Sequence, residues 1–316
     1  MGSIFARLSP PTFDPQRDMP DLSGKIILIT GGNTGIGYET CKQLLLKNAK
    51  VYLAARSEEK ANTAIRQLER ETHKKAIFLH LDLGDLRSVR KAAESFLAEE
   101  SKLDVLFNNA GVMISPPEQL TVQGHDLQFG TNVIGHFFLT ELLVPALRKS
   151  FEESDEPARV LHTSSRAHAR APGNGIDFVS ITGSPERDTW VKEKGDFATR
   201  MALYSQSKIG NVFIANHFAK KYSDILVSCS LNPGAINTNL QRHAAGWMRM
   251  LTSLLFHPAQ LGAYTQLWGA TIAKPSEISG KYLVPWGKIG EPDKRVANAN
   301  LEEQLVAYVQ GQIKGF

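Results

Sequence analysis

The chain alternates between short apolar runs and longer segments whose apolar residues recur with helical spacing. The apolar runs predict strands and the periodic segments predict helices. The predicted strands lie at 26–29, 50–54, 76–81, 103–107, 159–164, 225–231 and 281–284. The predicted helices lie at 38–47, 58–72, from 85 onward, 125–149, 201–222, 258–273 and 299–313. Strict alternation with continuously apolar strands predicts an α/β fold: one doubly wound parallel β-sheet with helices on both faces.

No linker or internal repeat divides this pattern, so residues 24–316 are predicted to form a single domain. Residues 1–23 carry four prolines and little periodicity, which predicts an extended N-terminal arm. Two stretches interrupt the βα alternation. One is an insertion at 166–203, of a length typical of functional loops. The other, at about 239–257, has apolar residues at helical spacing. We interpret it first as a substrate lid, with membrane-surface contact or ordinary core as alternatives.

The composition is that of a globular protein: 42% of the 316 residues are hydrophobic and 22% are charged, with a net charge of +4. The basic runs at 73–75 and 220–221 lie at or near predicted helix ends, where they complement the helix dipole, so no nucleic-acid partner is expected. Cys41 and Cys229 have no paired spacing, which favours free thiols in a reduced compartment. The first residues lack a signal-peptide pattern, and no apolar run is long enough to span a bilayer. A soluble, cytoplasmic protein is expected.

The first predicted strand runs directly into a glycine-rich turn and then a helix. The turn, Gly31-Gly32-Asn33-Thr34-Gly35-Ile36-Gly37, has its key glycines in a G-x-x-x-G-x-G spacing. A strand, a glycine turn and a helix in this order aim helix-terminal N–H groups at a phosphate. Glycine runs alone are weak signals, so the rest of the chain has to decide what is bound.

Polar or glycine-containing clusters also follow the other predicted strands. They are Arg56, Asp82, Asn109-Ala110-Gly111, Ser164-Ser165 and Asn232-Pro233-Gly234. The carboxyl ends of parallel strands lie along one edge of a doubly wound sheet, which is where ligands bind. Six clusters in register therefore predict one elongated ligand lying across the sheet.

Tyr204 and Lys208 lie four residues apart in a predicted helix and so share a face. A phenol has an ordinary pKa near 10, and a fixed ammonium beside it is expected to lower that value toward the working range of an acid–base catalyst. A solvated helix face is the alternative explanation. The position of this helix after the Ser164-Ser165 strand argues against that alternative.

Taken together, these motifs resemble the short-chain dehydrogenase/reductase family over about residues 24–285. Within the family the chain is most similar to retinol-dehydrogenase-like and WW-domain-oxidoreductase-like members, without a WW domain. The matching residues are Thr30 to Gly37, Asp82-Leu83, Asn108 to Gly111, Asn132, Ser165, Tyr204, Lys208, Pro233-Gly234 and Thr238. The resemblance implies a Rossmann fold and a nicotinamide cofactor.

The resemblance also implies roles for four catalytic residues. Tyr204 would be the general acid or base, and Ser165, preferred to Ser164, would hydrogen-bond the substrate oxygen. Lys208 would hold the nicotinamide ribose and lower the Tyr204 pKa. Asn132 would hold a water that relays protons to Lys208, unless its amide only bonds a neighbouring strand. The implied cofactor-binding residues are Gly31, Asn33, Thr34, Gly35, Ile36, Gly37, Arg56, Asp82, Leu83, Asn109, Ala110, Gly111, Tyr204, Lys208, Pro233, Gly234, Ile236 and Thr238.

The residue at the end of the second strand favours NADP(H) over NAD(H). NAD-specific sites place an acid about 20 residues beyond the glycines, whereas here Ala55 is followed by Arg56. A guanidinium pairs well with a 2′-phosphate. The alternatives are that Arg56 is an exposed charge before a Ser57 helix cap, and that Asp82 caps the next helix. Thr34 departs from NADP-binding members that carry a basic residue in the glycine loop.

The expected function is an NADP(H)-dependent oxidoreductase, or carbonyl reductase, that interconverts an alcohol and an aldehyde or ketone on a hydrophobic or aromatic small molecule. Alternatives are a non-catalytic NADP(H)-binding redox sensor, and an isomerase or dehydratase on the same fold. The histidines show no metal-ligand spacing, so no metal is assigned. The insertion leaves a monomer and a homodimer equally open.

Overall fold

Eight strands form one continuous sheet in the computed structural model, which describes residues 11–236 and 257–316. In chain order the strands are β1 (Ile26–Thr30), β2 (Lys50–Ala55), β3 (Ile77–His80), β4 (Val105–Asn108), β5 (Ala158–Thr163), β6 (Leu226–Leu231), β7 (Tyr282–Val284) and β8 (Lys288–Gly290). Their spatial order is β3-β2-β1-β4-β5-β6-β7-β8. Strand β1 lies between β2 and β4, so the strand order reverses there. The carboxyl ends of β1 and β4 therefore border the crevice where doubly wound folds bind ligands.

The predicted doubly wound fold is confirmed, with one correction at the sheet edge. Strands β1 to β7 pair in parallel, but β8 pairs antiparallel with β7. The sequence did not predict β8 because its three residues are half-buried or exposed and form no apolar run.

The helices cover both faces of the sheet. They are α1 (Pro15–Asp18), α2 (Gly35–Leu46), α3 (Glu58–Thr72), α4 (Leu86–Glu99), α5 (Leu127–Phe129), α6 (Gly135–Ser154), α7 (Pro185–Lys194), α8 (Asp196–Lys221), α9 (Ala259–Thr271), α10 (Pro275–Ile278) and α11 (Ala299–Ile313). Short 3-10 turns span Arg166–Arg170 and Lys294–Ala297, and a π-helical turn at Gly130–Ile134 joins α5 to α6.

Each face of the sheet carries its own hydrophobic core, and β1 contributes to both. Ile27 and Ile29 belong to the core under α2 and α9, whereas Leu28 belongs to the core under α4, α6 and α8. Successive strand side chains point to opposite faces. A strand covered on both sides is therefore apolar throughout, which is why the continuous runs were readable as strands.

The structure differs from the sequence prediction in the N-terminal arm. Residues 11–23 are not simply extended, because Asp14 caps the one-turn helix α1, and Phe13 and Met19 are buried in the core. Residues 1–10 lie outside the described residues.

The insertion at 166–203 also contains more structure than its sequence suggests. It holds a 3-10 turn, α7 and the first two turns of α8, which begins at Asp196 rather than at 201. The predicted lid lies outside the described residues except for His257.

Candidate active site

A cavity of about 970 Å³ runs along the carboxyl ends of the parallel strands. Most of the predicted site residues line it: Gly31, Asn33, Thr34, Gly35, Ile36, Gly37, Arg56, Asp82, Leu83, Asn109, Ala110, Gly111, Ser165, Tyr204, Lys208, Pro233, Gly234 and Ile236. Asn132 is fully buried behind the cavity wall, and Thr238 lies outside the described residues. Residues predicted from separate segments of sequence are thus brought to one elongated space.

The glycine turn is packed so tightly that larger side chains would collide with backbone. A Cβ on Gly37 would overlap the carbonyl oxygen of Gly31 and press on the Asn109 amide. Gly31 also has φ +69°, a conformation that glycine adopts without strain. The turn leads into α2, whose first residues line the cavity. A glycine-lined turn at a helix N-terminus fits the pyrophosphate of a dinucleotide.

The far end of the cavity, beside β2 and β3, is bordered by two exposed cations. Arg56 and Lys60 both line it, together with Ser57, which caps α3 through the Lys60 amide. Asp82 accepts a hydrogen bond from the Gly84 amide at 2.9 Å, while Asp85, rather than Asp82, caps the next helix. The helix-capping alternative for Asp82 is therefore not what the structure contains.

Tyr204 and Lys208 project from one face of α8 into the cavity, next to Ser165. The side chain of Ser165 is hydrogen-bonded to the Tyr204 phenol. The Lys208 ammonium lies 5.6 Å from the centre of the Tyr204 ring and donates to the Thr163 carbonyl at 2.9 Å. Both α8 side chains are almost entirely buried. Ser164, the alternative candidate to Ser165, donates its hydroxyl to the Lys208 carbonyl instead.

The pKa of Tyr204 moves in the opposite direction from that predicted. Burial raises the pKa of Tyr204 to about 12, and the hydrogen bond with Ser165 only partly opposes this. Burial also lowers the pKa of Lys208 to about 7. The expectation of a lowered phenol pKa assumed a fully charged ammonium. A lysine with a pKa near 7 is only partly charged at neutral pH, so desolvation of the phenol dominates.

Asn132 lies in the π-helical turn and joins two walls of the site. Its Nδ2 donates to the Val112 carbonyl at 3.0 Å and to Ser207 Oγ at 2.9 Å, and its Oδ1 accepts from the Val112 amide at 2.9 Å. Both N–H groups are therefore used inside the protein, although their partners lie in the loop after β4 and in α8 rather than in a neighbouring strand. A Cβ on Gly111 would lie 3.1 Å from Asn132 Oδ1 and 3.5 Å from Lys208 Nζ, so glycine keeps the gap between those atoms open. Such π-turns occur frequently at functional sites.

His136 is a residue that the sequence reasoning missed. It is fully buried, and its Nδ1 donates to the Asn132 carbonyl at 3.0 Å while its Nε2 lies 2.9 Å from Thr30 Oγ1. The same Thr30 oxygen accepts the amides of Asn109 and Ala110. His136 therefore connects the π-turn, the glycine strand and the loop after β4. Its position four residues after Asn132 was the available signal.

The other end of the cavity contains further residues that sequence analysis did not single out. Met113, Ile114 and Met201 provide apolar surface there. Arg166 and Arg170, in the turn after Ser165, also line this end. Ile114 has φ +56°, rare for a β-branched residue, and its amide is held by the Gln128 side chain at 2.8 Å. Strained residues of this kind cluster at functional sites.

The insertion is held against this end by a buried ion pair. Arg187 of α7 pairs with Asp126 at 3.2 Å, and both side chains are nearly inaccessible. Arg187 also donates to the carbonyls of Ser180 and Pro117, while Asp126 caps α5.

Among residues 11–236 and 257–316, no group of three or more His, Cys, Asp or Glu side chains could hold a metal ion. None of the helices in these ranges is long and apolar enough to cross a membrane.

Comparison with known proteins gives concordant matches. The family model described as short chain dehydrogenase matches residues 25–176. A short-chain dehydrogenase/reductase of Armillaria gallica is 46% identical, with 99% of this chain and 98% of that protein covered. Human retinol dehydrogenase 11 is 36% identical, with 83% of this chain and 77% of that protein covered. A crystal structure of an uncharacterized protein from Mycobacterium paratuberculosis matches with a TM-score of 0.73 at 27% identity, covering 96% of this chain and 97% of that one.

Proposed function

The chain belongs to the short-chain dehydrogenase/reductase family of oxidoreductases, and we propose that it interconverts an alcohol and an aldehyde or ketone with NADP(H). The observation that carries this proposal is the hydrogen-bonded pair Ser165–Tyr204, with Lys208 on the same helical face and in the same cavity as the glycine turn. The bound nicotinamide would supply the hydride in reduction or accept it in oxidation.

Tyr204 is proposed as the proton donor to the carbonyl oxygen in the reduction direction. A phenol whose pKa burial raises to about 12 remains protonated at neutral pH, which suits an acid. Ser165 would donate a hydrogen bond to the same oxygen, where negative charge grows as the carbonyl is reduced.

Lys208 and Asn132 are proposed to support proton transfer and cofactor binding. Lys208, with its pKa lowered to about 7, can hold or release a proton near neutral pH, and it would also hold the ribose hydroxyls of the cofactor. Since both Asn132 N–H groups donate within the protein, its side-chain oxygen would accept a hydrogen bond from a relaying water in the gap beside Gly111.

The preference for NADP(H) rests on the charge around Arg56. Arg56 and Lys60 border the end of the cavity where the adenosine ribose would lie, and Ala55 stands where an NAD-selective acid would be. A guanidinium and an ammonium there favour a 2′-phosphate. The apolar side chains of Met113, Ile114 and Met201 at the opposite end support a hydrophobic or aromatic substrate.

The test is the substitution Tyr204→Phe, assayed by NADPH absorbance with a panel of aromatic aldehydes and ketones. Loss of the proton donor should lower kcat by about 100- to 10,000-fold. The dissociation constant for NADPH should remain within about twofold, because ring packing is retained. Tyr222→Phe is the matched control, since Tyr222 ends the same helix outside the cavity and bonds Glu141.

Turnover by Tyr204→Phe at the wild-type rate would exclude the proposed mechanism. A wild-type protein that binds NADPH but reduces no carbonyl in the panel would favour the binding-module alternative over the enzyme.

A further inference from the structure

Two arginines extend from the turn that directly follows Ser165. Arg166 and Arg170 begin and end the 3-10 turn Arg166–Arg170, both are exposed, and both line the cavity. Within residues 11–236 and 257–316 neither guanidinium forms an ion pair with a carboxylate. The remaining segments, 1–10 and 237–256, contain no Asp or Glu at all. No carboxylate elsewhere in the described structure therefore neutralises these two cations.

The backbone that carries the two arginines is fixed from behind by a third. Arg295 donates to the carbonyls of Ala169, Ala171 and Gly173 at 3.0, 2.5 and 3.1 Å. His168, inside the same turn, donates from Nδ1 to the Ser165 carbonyl at 2.6 Å and accepts the Asp293 amide at 2.9 Å. These hydrogen bonds therefore fix the backbone of the turn in place. Arg295 is used structurally, whereas Arg166 and Arg170 are held out toward the cavity.

The charge distribution along the cavity separates this arginine pair from the cofactor end. Asp82 is the one carboxylate among the described lining residues, and it lies at the end of β3 beside Arg56 and Lys60. The arginine pair instead follows β5 next to Ser165. Burial raises the pKa of the Tyr282 phenol, the nearby Arg166 guanidinium partly opposes this rise, and Tyr204 adds to it. This places Arg166 at the Tyr204 end.

We propose that the substrate carries an oxyanion, a carboxylate or a phosphate ester, which the guanidinium groups of Arg166 and Arg170 bind while its apolar body contacts Met113, Ile114 and Met201. The proposal rests on the proposed function and narrows its substrate class. Guanidinium groups match carboxylate and phosphate oxygens in a bidentate geometry, and charge-assisted hydrogen bonds are the strong ones. A neutral hydrophobic carbonyl compound would contact only the apolar side chains at this end of the cavity and would form no charge-assisted hydrogen bonds with the two guanidinium groups.

The experiment compares anionic and neutral aldehydes of the same shape. The anionic probes are 4-formylbenzoate, the longer 4-formylcinnamate and 4-formylphenyl phosphate. The neutral probes are the methyl esters of the two carboxylates and the dimethyl ester of the phosphate. The wild-type protein should show a kcat/KM for the best anionic probe at least about tenfold above its neutral partner. The better of the carboxylate and phosphate probes identifies the oxyanion.

The anionic-to-neutral ratio of kcat/KM should fall about tenfold in Arg166→Ala or Arg170→Ala, and further in the double variant. The ratio should also shrink as ionic strength rises, because exposed charges are screened. Arg87→Ala is the control, since Arg87 is exposed at the start of α4 and does not line the cavity. The KM for NADPH is measured in every variant.

Titration calorimetry of the NADP⁺-saturated protein with 4-formylbenzoate keeps this inference separate from the proposed function. If no aldehyde is reduced but binding weakens about tenfold in the double variant, the enzyme assignment fails and the oxyanion site stands. An unchanged affinity in the double variant overturns the oxyanion site. The oxyanion site is also overturned if the anionic-to-neutral ratio of kcat/KM stays constant in the variants while only the KM for NADPH rises. The arginines would then bind the cofactor.

Discussion

The buried imidazole of His136 predicts how folding stability depends on pH. Its Nδ1–H donates to the Asn132 carbonyl, and its Nε2 lies 2.9 Å from Thr30 Oγ1, whose hydroxyl also donates to the Phe107 carbonyl. Burial lowers the pKa of His136 from 6.5 to about 4, and that of His162 to about 3. The folded pKa is below the unfolded one, so the unfolded chain takes up the proton first. Stability is therefore complete above pH 6.5 and is lost as the pH falls toward 4.

The size of the effect follows from these values. Near pH 5 an unfolded imidazole is almost fully protonated, whereas His136 is mostly neutral in the fold. Linkage then removes about 2 kcal/mol between pH 7 and pH 5 for His136, and about the same for His162. Asp126 acts in the opposite direction, because burial raises its pKa to about 6 and protonation relieves a buried charge. It returns about 1 kcal/mol, so these three groups together account for a loss of about 3 kcal/mol.

The assay is urea unfolding followed by far-ultraviolet circular dichroism near pH 7 and near pH 5. In His136→Gln the loss on acidification should shrink by about 2 kcal/mol, even though the variant is less stable than wild type near pH 7. His162→Gln should reduce the loss of unfolding free energy on acidification by a similar amount, and the double variant should reduce it by about 4 kcal/mol. A His136→Gln protein that loses as much stability as wild type over this interval would refute the assignment of the pH dependence to the buried ring.

Two further substitutions test the cofactor end and the insertion. Arg56→Ala should raise the dissociation constant for NADPH about 10- to 100-fold and leave that for NADH within about twofold, measured by fluorescence titration; equal losses for both would exclude a 2′-phosphate contact. Arg187→Met should lower the free energy of unfolding by about 3–5 kcal/mol because it leaves the Asp126 carboxylate buried without a counterion, and Arg187→Met/Asp126→Asn should recover part of it. A single variant as stable as wild type in urea would show that Asp126 is neutral in the fold.

The proposed cofactor end of the cavity could be predicted from sequence because each of its parts is local. A strand, its terminal turn and the following helix are contiguous, so Gly31 to Gly37, Arg56 and Asp82 could each be placed by the strand before it. Parallel pairing then brings all strand ends to one edge without further information. The strand order was not predicted, because right-handed and short connections are compatible with more than one doubly wound order.

What could not be predicted depends on contacts between distant segments or on burial. The pair Arg187–Asp126 joins residues 61 positions apart, and Arg295 reaches the 3-10 turn across more than 120. Neither of these long-range interactions produces a local pattern in the sequence. The direction of the Tyr204 pKa was mispredicted for a related reason: spacing shows that Lys208 shares its face, but not that burial leaves the lysine only partly charged.

This contrast also explains why one half of the cavity is easier to predict from sequence than the other. The cofactor half is made of strand ends, and changing one of them disturbs the sheet. The other half is assembled from Met113 and Ile114 after β4, the arginine turn after β5, and Met201 near the start of α8. Two of these three segments belong to the insertion, which is anchored by Arg187, Arg295 and an isolated β-bridge at Thr182 rather than by a strand of the main sheet. Substitutions at Arg166, Arg170 or Met201 are therefore expected to alter the proposed substrate-binding surface while the sheet and the glycine turn stay in place.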